Sequence, residues 1–145
     1  MPKQVSFTTA RRVLLTIWFA FFLAEIACVL YLYLDKWIED EDFRQALQQI
    51  NSLYVTYLGI IIAFFLTKSK PAQANRKRTG MPFVIAVVGS VLWNIIIFAF
   101  IFRLVLKTGT FESSIKQIGF IGPLLSWLVA PAIGFYFADL PSSKD

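Results

Sequence analysis

The sequence predicts an all-α polytopic membrane protein, with four transmembrane helices in a single domain that covers residues 1–145. Of these 145 residues, 57% are hydrophobic and only 16% are charged, against roughly 25% charged residues in soluble domains. The apolar residues form long runs that short polar segments separate. A soluble domain this small buries too modest a fraction of its chain to hide so much apolar surface. Lipid is the solvent that such a composition requires.

The predicted spans are runs whose lengths approach the roughly 20 residues that cross a bilayer as a helix. The second is the least regular, because its apolar stretch, 53–66, is short. Ahead of it, Phe43, Leu47 and Ile50 recur at helical spacing, and the acidic residues before them suit a helix N-terminus. This helix is therefore expected to begin outside the membrane, near Asp42. The four predicted spans cover residues 13–34, 50–67, 81–106 and 118–138.

The distribution of Lys and Arg predicts that both termini are cytoplasmic, because short cytoplasmic loops carry an excess of these residues. The N-terminal segment contains Lys3, Arg11 and Arg12, whereas residues 39–42, after the first span, are all acidic. We expect an integral protein of the bacterial inner membrane, the plasma membrane of the cell. The cytoplasmic loop 68–80 carries most of the charge, on Lys68, Lys70, Arg76, Lys77 and Arg78.

The second and fourth spans contain similar sequences. Residues 57–66 read YLGIIIAFFL and residues 128–137 read LVAPAIGFYF, and an offset of 71 positions aligns them. The same offset places the first span on the third. Two spans in each half keep both halves in the same orientation, so the pattern predicts a parallel repeat of two helical hairpins. Chance similarity between two apolar helices is the alternative.

Small residues recur at steps of four along the predicted helices. Helices in lipid associate by close packing, which small side chains permit. The stripes therefore predict either packing within one four-helix bundle or contact with another subunit. Because four helices offer more stripes than a minimal bundle requires, we expect a homo-oligomer. The stripes of the third and fourth spans consist of Ala86 and Ser90, and of Gly122, Ser126, Ala130, Gly134 and Ala138.

Glu25 lies near the middle of the first predicted span, where a charge costs at least about 2.5–3.5 kcal/mol. Asn94 occupies the matching depth of the third span, and its amide can hydrogen-bond a carboxyl group in either protonation state. Three interpretations follow. Glu25 bonds Asn94 between helices, lines a path for ions or protons, or binds a basic residue of another protein.

Pro123 and Pro131 lie inside the fourth predicted span. Prolines are tolerated in membrane helices, where they mark kinks or broken turns. They identify this span as the candidate for a hinge, with static packing around a kink as the alternative. Trp and Tyr residues at span ends are interpreted as interfacial anchors.

The remaining patterns exclude several classes of function. The chain has no histidine and one cysteine, Cys28, so no metal site, cofactor site or internal disulfide is predicted. The basic loop 68–80 has no Gly-rich phosphate-binding pattern and no interleaved aromatic residues. We expect it to attract anionic lipid headgroups or a protein partner, and we expect no direct binding of nucleic acid.

The leading hypothesis is a non-enzymatic membrane subunit that assembles with itself or with a soluble partner. One form of it is a pore-forming or membrane-perturbing effector gated by that partner, an organisation found in some bacterial antiviral defence systems. A second hypothesis is a small channel or transporter with a midplane site at Glu25 and Asn94. A third is a scaffold subunit of a membrane enzyme complex.

Overall fold

A computed structural model describes residues 5–66, 77–78 and 80–137, and this part of the chain is almost entirely helical. Helix α1 is Phe7–Leu34, α2 is Asp40–Leu66 and α3 is Gly80–Val105. Helix α4 is Phe111–Leu124, and a 3-10 turn, Ser126–Leu128, joins it to α5, Ala130–Phe137. Two short strands, β1 (Val5–Ser6) and β2 (Lys77–Arg78), pair antiparallel.

Three of the helices are long and apolar enough to cross a membrane, over Thr8–Leu34, Asp40–Ala63 and Phe83–Val105. The prediction of an all-helical membrane protein is therefore confirmed. The expected start of the second helix near Asp42 is confirmed as well, since α2 begins at Asp40 with three acidic residues in its first turn. That this start lies outside the membrane stays a prediction. Carboxylates there are stabilised by the positive end of the helix dipole.

The fourth predicted span, 118–138, is not confirmed, because the described residues there form two short helices with a 3-10 turn between them. Helix α4 has 14 residues, about 21 Å of helix, which is short of the roughly 30 Å hydrocarbon core. Pro123 lacks an amide hydrogen, and its ring crowds the preceding turn. After it the backbone tightens, because Val129 N–H donates to Ser126 O at 3.1 Å, three residues back as in a 3-10 helix. A second proline, Pro131, follows at the start of α5.

The helices close into a ring in which α1 packs on α2 and α3, and α4 packs on α3 and α2. Helix α5 contacts α1, α2 and α3. Helices α1 and α3 run parallel at nearly equal depth. Trp18 Nε1 donates to Ser90 Oγ at 3.3 Å, and Lys107 Nζ lies 3.6 Å from Asp35 Oδ2.

The hairpins α1–α2 and α3–α4 have the same local geometry at the offset of 71 residues that the sequence similarity indicated. Helix α1 ends at Leu34 and α3 at Val105, and α2 and α4 begin at Asp40 and Phe111. Lys36 and Lys107 both follow a helix in the left-handed conformation, each with φ of 57°. Both turns close with the paired backbone hydrogen bonds of a Schellman motif, from residues 36 and 37 and from residues 107 and 108.

The β1–β2 pair joins the chain before α1 to the end of the basic loop. Val5 pairs with Arg78, and Ser6 with Lys77. The N-terminal segment and this end of the loop therefore lie at the same end of the bundle. The predicted loop residues Lys68, Lys70 and Arg76 lie outside the described residues.

Gly89 marks the closest backbone approach between α3 and the 3-10 turn, and it provides a test of the packing. A Cβ at Gly89 would lie 2.9 Å from the carbonyl oxygen of Leu128, whereas one at Gly59 would meet no atom within 4 Å. We expect Gly89→Ala to lower the free energy of unfolding by about 1–3 kcal/mol. Gly59→Ala is the matched control and should raise it by up to about 1 kcal/mol. Tryptophan fluorescence during unfolding in mixed micelles measures both, and equal stability of the two variants would contradict the packing.

Candidate functional site

A polar cluster joins three helices at the middle of the bundle. It consists of Glu25 on α1, Tyr54 on α2 and Asn94 on α3, each with 0% of its surface exposed. The Tyr54 hydroxyl oxygen lies 2.8 Å from Glu25 Oε1 and 2.7 Å from Asn94 Oδ1. Glu25 and Asn94 are thus brought together as their equal depth suggested, but Tyr54 stands between them.

Aromatic side chains enclose the cluster on its inner side. Trp18, Tyr54 and Trp93 pack with ring centroids 5.1 to 5.6 Å apart. Buried indole N–H groups need acceptors, and Trp93 Nε1 donates to the carbonyl oxygen of Gly122 at 3.0 Å. This bond ties α4 to the same layer of the bundle.

The hydrogen atoms of the cluster can be assigned from its geometry. Asn94 Nδ2 donates to the carbonyl oxygen of Ser90 at 2.7 Å, and a flipped amide would instead place two acceptors in contact. Asn94 Oδ1 therefore faces Tyr54 and must accept the single hydroxyl proton of Tyr54. The contact between Tyr54 and Glu25 then needs a hydrogen from the carboxyl group. The cluster is complete when Glu25 is in its neutral acid form.

The second carboxyl oxygen agrees with that assignment. Glu25 Oε2 is buried and has no hydrogen-bond partner among the described residues. An orphaned carboxylate oxygen in a low-dielectric interior would be costly. The carbonyl oxygen of a neutral acid is tolerated more readily without a partner. Burial also leaves Glu25 no exposed surface through which a basic residue of another protein could reach it.

The predicted packing residues divide into two groups. Ala86, Ser90 and Gly122 are buried, and a Cβ on Gly122 would lie 2.7 Å from Leu53 Cδ2. The stripe beyond Gly122 does not continue as predicted, because the 3-10 turn changes the helical register. Ser126 is half-buried, Ala130 and Gly134 are exposed, and Ala138 lies outside the described residues.

The predicted hinge residues flank the interruption between α4 and α5. Pro123 is the second-last residue of α4, and Pro131 is the second residue of α5. The break between them is a structural fact, whereas motion about it stays a prediction. Helix α5 meets three other helices, so any such motion would disturb their packing.

Sequence reasoning missed Tyr54, which bonds the Glu25 carboxyl, and Trp18 and Trp93, which pack on the Tyr54 ring. Trp and Tyr were interpreted mainly as anchors at span ends, yet these three are fully buried. A signal was present in the spacing. Tyr54 follows Ile50 by one helical turn and precedes Ile61 by two, which places its hydroxyl on the inward face of α2.

The described residues contain no group of three His, Cys, Asp or Glu side chains that could hold a metal ion. Comparison with protein-family models, curated proteins and solved structures finds no match to this chain. The chemical properties of the cluster are therefore inferred from the geometry of Glu25, Tyr54 and Asn94 alone. It joins helices, and it holds a carboxyl proton in a hydrogen-bonded chain that ends at the Ser90 carbonyl.

Removing the Tyr54 hydroxyl should weaken the bundle. Tyr54→Phe leaves both the Glu25 carboxyl and Asn94 Oδ1 buried without their common partner. We expect the free energy of unfolding in mixed micelles to fall by about 1–2 kcal/mol, the range for interhelical hydrogen bonds in membranes. Tyr31→Phe is the matched control, because Tyr31 is exposed on α1. Equal stability of the two variants would show that the hydroxyl contributes nothing.

Replacing Glu25 by its neutral isostere tests the assigned hydrogen. The side-chain amide of Glu25→Gln can donate to the Tyr54 hydroxyl as the acid does, so stability should stay within about 0.5 kcal/mol of the parent chain. Infrared spectra of the parent should contain the carbonyl band of a protonated carboxyl group at neutral pH. That band should be missing from the variant, and its absence from the parent would contradict the neutral form.

Proposed function

We propose that this chain is a non-enzymatic membrane subunit that acts by assembling, with itself and with a soluble partner. The observation that carries the proposal is the closure of the polar cluster. Glu25, Tyr54 and Asn94 bond one another inside a single chain and have no exposed surface. The most polar part of the membrane interior thus serves to hold the bundle together, and the outer faces of the helices are left for contacts with other chains.

A second support for assembly is the small amount of chain outside the helices. The connections α1–α2 and α3–α4 are each five residues long, too short for a separate folded domain. A chain built in this way acts through its membrane faces and through what docks on its ends. The basic loop is the proposed docking site for anionic lipid or for a soluble partner. A pore-forming or membrane-perturbing effector gated by that partner is one form of this proposal.

The proposal includes a fourth membrane crossing made from three pieces. Helix α4, the 3-10 turn and α5 together provide about 40 Å of helical length, more than the roughly 30 Å hydrocarbon core requires. This crossing brings the C-terminus to the side of the N-terminus. The pairing of β1 with β2 holds residues 77–78 beside the chain that leads into α1. The proposed orientation has this side in the cytoplasm, because short cytoplasmic loops carry an excess of Lys and Arg.

The second candidate is a small channel or transporter that uses the same cluster. Glu25 Oε2 favours it, because a buried carbonyl oxygen without a partner among the described residues is a position where a cation can bind. Intramembrane carboxyl groups commonly serve proton and ion pathways. Opening such a path requires α1, α2 and α3 to separate around Tyr54.

Native mass spectrometry from gentle detergent tests the proposed assembly. The expected result is a complex of two or more copies, with or without a stoichiometric soluble protein. Neutralising the five basic residues of the loop should remove a soluble partner but leave the oligomer, because the helices make the contacts between copies.

A clean monomer both in detergent and in native membranes would overturn the assembled subunit. The channel is tested separately by ion flux in liposomes. Flux that disappears in Glu25→Gln would establish the second candidate, since the isostere keeps the fold but cannot release a proton. Liposomes without flux would eliminate it.

A further inference from the structure

The two hairpins of this chain are equivalent modules, and they contact each other through two different faces. Module A is α1–α2 and module B is α3–α4, related by the offset of 71 residues. On module A the contact uses Gln49 and Leu53, and on module B it uses Gly119 and Gly122. In the numbering of module A, the two glycines correspond to positions 48 and 51. A contact between unlike faces is heterologous, and it leaves one face of each type uncovered.

The uncovered faces lie at the two outer edges of the bundle. On module B, the counterparts of Gln49 and Leu53 are Phe120 and Leu124, which are 69% and 57% exposed. On module A, the counterparts of Gly119 and Gly122 are Gln48 and Asn51, and both are exposed. The residue positions that form the contact inside the chain therefore occur a second time at its outer edges, where they have no partner among the described residues.

The polar residues of the module A edge lie within the membrane. Tyr54 is at the level of Glu25 and Asn94, and Asn51 and Gln48 are about 4.5 and 9 Å further along the helix. If the level of the cluster is the midplane of the bilayer, both positions are inside the roughly 15 Å half-thickness of the hydrocarbon core, and the second span begins before residue 50. Neither side-chain amide forms a hydrogen bond among the described residues. Lipid tails cannot satisfy them, so this edge is suited to a protein neighbour.

We propose that the chain assembles head to tail with a second copy of itself, through the Gln48 and Asn51 edge of α2 against the Phe120 and Leu124 edge of α4. This inference rests on the proposed function and specifies its interface. The contact continues the internal packing of α2 on α4 from one chain to the next. Gln117, one turn before Phe120 on α4, is exposed and offers the neighbouring Gln48 an amide partner.

Copies in one bilayer share one orientation, which the proposed contact requires. The unlike faces also separate it from a symmetric dimer. In a symmetric dimer each residue near the axis meets its own copy, whereas here Asn51 meets Leu124 and Gln48 meets Phe120. Each of these outer pairs corresponds to an inner pair that is already in contact, Gly122 with Leu53 and Gly119 with Gln49.

Cysteine cross-linking in native membranes tests this pairing in the full chain. Cys28 is first replaced by alanine, and two differently tagged chains are then co-expressed, one with Asn51→Cys and the other with Leu124→Cys. A disulfide-linked dimer carrying both tags is expected, and Gln48→Cys with Phe120→Cys should give the same product. Cross-linking should fall at least tenfold when Ser52→Cys replaces Asn51→Cys, because Ser52 is about 1.5 Å from Asn51 in depth but is rotated about 100° around α2 from it.

The outcomes distinguish this interface from the proposed function. An oligomer in native mass spectra whose Asn51→Cys chains cross-link only to one another would overturn the head-to-tail contact and leave the assembled subunit intact. An oligomer with equal cross-linking of the Ser52 and Asn51 variants would overturn it as well. A monomer in membranes would overturn both proposals. Gln48→Leu should weaken self-association about tenfold through loss of the proposed hydrogen bond to Gln117 of the second copy, and unchanged association would count against the edge.

Discussion

The hydroxyl group of Tyr54 is the point on which the described arrangement of helices depends. It joins carboxyl and amide groups from two other helices inside an apolar bundle. No water is available in such an interior to replace a lost hydrogen-bond partner. Because each of the three groups has few alternatives, their mutual distances fix the depths of α1, α2 and α3 relative to one another. Trp93 extends the same constraint to α4 through the carbonyl oxygen of Gly122.

The packing around this point differs between the two hairpins, although their turns match. Helix α2 is continuous over 27 residues, whereas its counterpart is divided by Pro123 and the 3-10 turn. The glycines of α4 let it approach α2 closely, since Gly122 meets Leu53 directly. In α2 the corresponding positions carry amides. The two modules thus share their turns and the residues at which their helices meet them, but differ in their inner and outer faces.

Much of this fold follows from hydropathy and charge, and the parts that do not have physical reasons. Glu25 and Asn94 were placed together from depth alone, because polar groups in apolar helices turn toward each other. The burial of Tyr54 was not predicted, because a tyrosine ring is compatible with a position in the core or at the membrane interface, and the composition does not distinguish the two. The division between α4 and α5 was not predicted as a stop, because the apolar run continues through both prolines and membrane helices often tolerate them.

The polar cluster has no second copy among the described residues, because the corresponding positions of the other module are apolar. The counterparts of Glu25, Tyr54 and Asn94 in the other module are Ile96, Leu125 and Leu23, none of which can form a hydrogen bond through its side chain. Module A carries Glu25 and Tyr54 and module B carries Asn94, so only a pairing of unlike modules brings the three groups together. The buried cluster therefore favours the pairing of module A with module B over the closing of two copies of the same module on each other.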